Sequence, residues 1–138
     1  MEAKRVTKPN GYVLVVVWGP AERCQLAPHV VALGKLLPPP PPGAGGPFAL
    51  SAPGALEALV SKAGLRPEHA MDVSSTMSFS DEATAVRGLL ASGVAERAIR
   101  HSGETAVRQS ISDAIRTFRT SGGLYNFTNE WRLLLSRA

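Results

Sequence analysis

Residues able to do chemistry are few in this chain and widely spaced. The one cysteine, Cys24, has no partner for a disulfide within the chain and excludes a zinc site built on thiolates. It stands near the start of a predicted helix, where a thiolate is stabilised. No histidine adjoins it, so an inert, buried cysteine is expected. His29, His69 and His101 lie far apart without HxxxH spacing, and no metal site is expected. The adjacent carboxylates Asp81 and Glu82 open a predicted helix. Neighbouring side chains diverge there, so these acids complement the helix dipole rather than forming an acid/base pair. There is no GxSxG elbow and no GxxxxGK[ST] loop. Gly43-Ala44-Gly45-Gly46 follows prolines instead of a strand, and no helix start comes directly after it to hold amides against phosphate. No catalytic, metal-binding or cofactor-binding residue is assigned.

The elements that would position a site are better defined. The 138 residues and 14.6 kDa suit a single domain, 1–138, with 44% apolar and only 19% charged residues. That balance supports a packed core and argues against disorder. The apolar runs fall well short of the roughly 18 residues that cross a membrane. Glu2 to Arg5 are not followed by a signal-type apolar region. A soluble, cytoplasmic protein without membrane association is expected. The net charge is +4, and arginines interleave with glutamates on the predicted helices. Arg97, Arg100, Arg108, Arg116 and Arg119 read as a solvated face, so no nucleic-acid partner is expected.

Tyr12–Trp18 is an apolar run rich in valine, bounded by Pro9-Asn10-Gly11 and Gly19-Pro20. It predicts a strand buried on both faces, hence an α/β layer fold. Residues 22–37 predict a helix, with Leu26, Val30, Leu33 and Leu37 at helical spacing. Residues 38–47, five prolines and then a glycine-rich stretch, form a connector. Ser51 is expected to cap a helix carrying Leu56, Leu59, Val60 and Ala63 on one stripe, with Gly64 just past its end. Residues 71–79 alternate as a half-buried edge strand. Helices follow over 80–92, ended by Gly93, then over 94–100 and 103–119. Tyr125, Phe127, Trp131, Leu133 and Leu135 alternate through a final strand.

Ligands collect at the carboxyl ends of parallel strands in α/β sheets. Trp18 and Phe79 end the first two strands, and Tyr125 begins a last strand that reaches the same rim if it runs antiparallel. These three aromatics are the candidate lining of a small apolar-ligand pocket, roofed by the helices of 80–119.

Several phrases in this order resemble the C-terminal half of a class I S-adenosylmethionine-dependent methyltransferase, of the type related to quinone biosynthesis. Glu2 to Tyr12 is similar to a helix, a K/R-P-G-G turn and the family's fifth strand, which Val15-Val16-Val17-Trp18-Gly19-Pro20 would end. Phe48 to Glu57 with Ala63-Gly64-Leu65 resembles the helix before the sixth strand, and Asn129-Glu130-Trp131-Arg132 the final strand. The resemblance implies a partial Rossmann-like fold, with a three-stranded mixed sheet in the order 5-7-6 and a helical lid insertion. It also implies that the half carrying the glycine-rich loop and the acidic donor-binding residue is missing. The chain would then provide pocket and lid without catalysing alone. S-adenosylmethionine would bind only where a partner supplies that half. The strand Tyr12–Trp18 would lose one neighbour and invite a homodimer or a hetero-assembly along its edge. The alternative is a self-standing homodimeric module for small apolar ligands.

Overall fold

The computed structural model describes residues 2–138. Its elements run α1 (Glu2–Val6), β1 (Tyr12–Trp18), α2 (Ala27–Gly34), α3 (Ala55–Lys62), β2 (Arg66–Phe79), α4 (Glu82–Leu90), α5 (Gly93–Ser102), α6 (Glu104–Ile115) and β3 (Tyr125–Arg137). The three strands make one sheet in the order β1-β3-β2. β1 pairs antiparallel with β3, Tyr12 opposite Arg137 and Trp18 opposite Trp131. Side-chain contacts between β2 and β3 also run in opposite chain order: Glu68 meets Arg137, Ser75 meets Trp131 and Thr76 meets Thr128. The sheet is therefore antiparallel throughout rather than mixed, because its central strand opposes both neighbours.

The chain divides into two compact units. The first comprises residues 2–24, 45–75 and 129–138, and the second residues 25–44 and 76–128. In the first, Leu56 and Val60 of α3 close over Leu65 and Leu134, and Val13, Val15, Val17 and Leu50 pack against them. α3 starts at Gly54, whose φ of +76° lets the chain turn into the helix without a side-chain cap. It ends in a Schellman turn: Gly64 takes φ +75°, and the Leu65 amide donates to the Val60 carbonyl at 3.0 Å. Ser51 does not cap it. That hydroxyl donates to the Phe48 carbonyl, in a short 3-10 turn ahead of the helix. Leu59 points away from the core and is 48% exposed, because an eight-residue helix over one sheet buries a narrow stripe.

In the second unit α6 packs on α2, α4 and α5. Val107, Ile111 and Ile115 repeat every four residues and are wholly buried. Asp81 caps α4, its Oδ1 accepting from the Thr84 amide at 2.7 Å, and Ser92 caps α5 through the Ala95 amide. Gly93 is thus the first residue of α5 rather than the end of α4. α2 is shorter than its apolar spacing predicts. Cys24 is held in an isolated bridge to Asn129, and Pro28 sits where a helix starts. Residues 38–47 are exposed and carry no helix or strand.

Three burial expectations are corrected. β1 is buried on one face only: Tyr12, Leu14 and Val16 are 55%, 56% and 51% exposed. Among the described residues no helix covers that side of the strand. β2 begins at Arg66 and is exposed along nearly its whole length, including Met71, Val73 and Met77, because it lies at the other edge of the sheet. In β3 the buried positions change parity, from Tyr125, Phe127 and Asn129 to Leu134 and Ser136. Leu133 and Leu135 therefore share the open face of β1 and not its core face.

Replacing Ile111 with alanine at the centre of the helical unit is expected to cost about 2–5 kcal/mol. Leu59→Ala is expected to cost less than about 1 kcal/mol, as surface truncations do. Urea unfolding of both variants checks the contrast, and equal losses would contradict the burial described.

Candidate functional site

Each of the three predicted pocket aromatics is held by its own neighbours. Trp18, in the first unit, stacks on its cross-strand partner Trp131 with ring centroids 4.4 Å apart and planes 26° from parallel. Phe48 meets it edge-on at 5.9 Å, and the Trp131 Nε1 donates to the Ser75 hydroxyl at 2.7 Å. Phe79 and Tyr125 belong to the second unit. Phe79 lies edge-on to Phe127 at 6.1 Å and against Gly88 of α4, where an added Cβ would stand 2.7 Å from its ring. Tyr125 is wholly buried and donates through its hydroxyl to Glu82 Oε2 at 3.2 Å, while Ser112 donates to the other oxygen of that carboxylate. Burial first, and then the Glu82 charge, pushes the Tyr125 phenol above its ordinary value.

The concavity that no aromatic spacing announced lies in the second unit, between α2 and α6. It is an open groove of about 620 Å³. Pro28, Ala32, Lys35 and Leu36 line it from the α2 side, and Ala106, Gln109, Ser110, Asp113 and Ala114 from α6. Small side chains on facing helices leave the space. The sequence signal was the alanines at 106 and 114 on the face of α6 beside its buried isoleucines. Its lining mixes small apolar side chains with an amide, a hydroxyl, one cation and one carboxylate.

Buried polar groups elsewhere serve the fold. Arg132 donates to Glu57 Oε1 at 2.7 Å and to Asp72 Oδ1 at 3.4 Å, tying α3 and β2 to β3. The Arg132 hydrogen bond holds the Glu57 carboxyl below its usual range. Cys24 is buried, as its residue type and surroundings suggested, with Sγ 3.4 Å from the Glu130 carbonyl. On the helices, Arg100 pairs with Glu96, Arg108 with Glu104 and Arg116 with Asp113, all well exposed. Such pairs contribute little to stability.

No group of three or more potential metal ligands occurs among the described residues. The residues present also do not fit the donor that the methyltransferase resemblance implies. Residues 43–46 lie exposed in a segment without helix or strand, and the next α-helix begins only at Ala55. Their amides are not gathered at a helix start, as a nucleotide-binding loop requires. No helix among the described residues is long and apolar enough to cross a membrane. Neither a protein-family model nor a curated protein matches the chain.

His29 of α2 is 5% exposed, and its Nδ1 has no hydrogen-bond partner. Burial lowers its pKa to about 4 from the ordinary 6.5. The unfolded chain therefore takes up a proton as pH falls below 6.5, and the folded chain does not until about 4. Stability is present in full above that window and declines as pH drops through it, by up to about 1.4 kcal/mol per pH unit. The expected outcome is a urea midpoint that falls between pH 7 and pH 5 by more in the wild type than in a His29→Phe variant. Equal falls would show that His29 is not buried neutral.

Proposed function

We propose that this chain forms the substrate-covering part of a methyltransferase-like α/β fold and is not a catalyst by itself. One observation carries the reading. The last strand, β3, inserts between β1 and β2 and opposes both, after an excursion of three helices, α4 to α6. The resemblance puts its final strand between the two preceding ones, with a helical insertion over the substrate. On this reading the groove between α2 and α6 takes a small apolar ligand. Groups that grip S-adenosylmethionine come from residues other than these. On this reading Trp18 packs within the first unit, and Phe79 and Tyr125 within the second, rather than performing chemistry.

A second reading, a self-standing module for small apolar ligands, keeps the same groove and needs no donor at all. The open edge of β1, which has one hydrogen-bonded neighbour, favours it as a dimer.

The expected outcome in calorimetry is no saturable heat when S-adenosylmethionine is added to the pure chain. An environment-sensitive apolar fluorophore is expected to bind, and Ala106→Trp, which fills the groove, is expected to weaken that binding about tenfold, the loss of roughly 1.4 kcal/mol of contact. Micromolar binding of S-adenosylmethionine would overturn the non-catalytic reading. Fluorophore binding untouched by Ala106→Trp would overturn the groove assignment.

A further inference from the structure

The sheet has two open edges, and their chemistry differs. β2 carries Pro67, Glu68, Asp72 and a run of serines and threonines, the devices that discourage another strand from adding. β1 has none: Tyr12-Val13-Leu14-Val15-Val16-Val17-Trp18 is free of charge and of proline. Its hydrogen bonds to β3 alternate along the ladder. The Gly19 amide donates to the Glu130 carbonyl at 2.7 Å, and the Ala138 amide donates to the Gly11 carbonyl at 2.9 Å. Odd-numbered residues therefore bond to β3. The amides and carbonyls of Tyr12, Leu14, Val16 and Trp18 point to the open edge.

We propose that β1 pairs with β1 of a second copy of this chain, antiparallel, about a twofold axis through Val15. The strand is a chemical palindrome about that residue. The axis sets Tyr12 opposite the partner's Trp18, Val13 opposite the partner's Val17 and Leu14 opposite the partner's Val16. Aromatic meets aromatic, aliphatic meets aliphatic, and no charge faces a charge. The backbone is compatible with this register. In it, each outward-pointing residue faces another outward-pointing residue, so Tyr12 bonds with the partner's Trp18 and Leu14 with the partner's Val16. A slip of one residue would set outward-pointing groups against inward-pointing ones. The contact is isologous and closes on itself, giving a dimer rather than a fibre. It places the exposed Tyr12, Leu14 and Val16 of both copies side by side on one face and extends the valine layer of the core face across the axis. The proposal does not rest on the methyltransferase-like reading. A dimer that binds S-adenosylmethionine would end that reading and leave this one standing.

Light scattering on the eluting chain is expected to give twice the 14.6 kDa chain mass in the micromolar range. Leu14→Lys and Val16→Glu, each alone, are expected to weaken association by roughly tenfold while the far-UV spectrum stays folded, since each change enters the interface twice. A one-to-one mixture of the two variants is expected to associate again, because the new charges then face each other across the axis. Val15→Cys is expected to give a covalent dimer on mild oxidation: on the axis it opposes itself in a non-hydrogen-bonded pair about 4.5 Å apart, within disulfide reach. Buried Cys24 does not compete. A single-chain mass for the wild type, a mixture that stays apart, or failure of Val15→Cys to cross-link would each overturn the proposal.

Discussion

A strand satisfies its backbone only through its neighbours, and in this sheet β3 alone has two. Everything else hangs on that strand. It receives β1 along one edge and β2 along the other, and it supplies residues to both compact units. Leu134 lies in the core beneath α3, and Phe127 meets Phe79 and Phe118. Because the middle position is filled by residues 125–137, each outer strand pairs with a segment distant from it in sequence. Pairings this distant in sequence carry the loop-closure cost that makes such sheets slow to form.

The polar contacts follow the same strand. Arg132 reaches Glu57 and Asp72, and Arg137 reaches Glu68 while lying 4.4 Å above the ring of Tyr12. These arginines are partly covered, so their pairs are shielded more than the exposed pairs on α5 and α6. These pairs lie between the fully exposed and the fully buried case: Arg132, Glu57 and Asp72 all keep part of their side-chain surface in water, which still shares in solvating them. The arginines thus act less as a source of net stability than as pins that hold β2 and α3 in register.

The helical unit is held differently. α6 contributes one apolar stripe to three neighbours, which concentrates the burial in Val107, Ile111 and Ile115. Alanines at facing positions allow close approach and also leave the groove beside α2. The buried, neutral His29 stands on the same helix as that groove wall, and an apolar residue of similar size there would lack its sensitivity to acid.

The strand Tyr12–Trp18, its turn at Asn10, the helix end at Gly64 and the helix start near Asp81 were legible in the residues, because each depends on local dihedral preference or on a period within one element; that Asp81 itself is the cap was not. The exposure of β1 on one face, the exposure of Leu59 and the change of buried parity along β3 were not. Apolar residues on both sides of a strand announce what it is able to bury, not what the fold places over it. The Trp18–Trp131 stack, the Glu82 carboxylate shared by Tyr125 and Ser112, and the α2–α6 groove join residues far apart in the chain. Distance through space, which no one-dimensional period encodes, decided them.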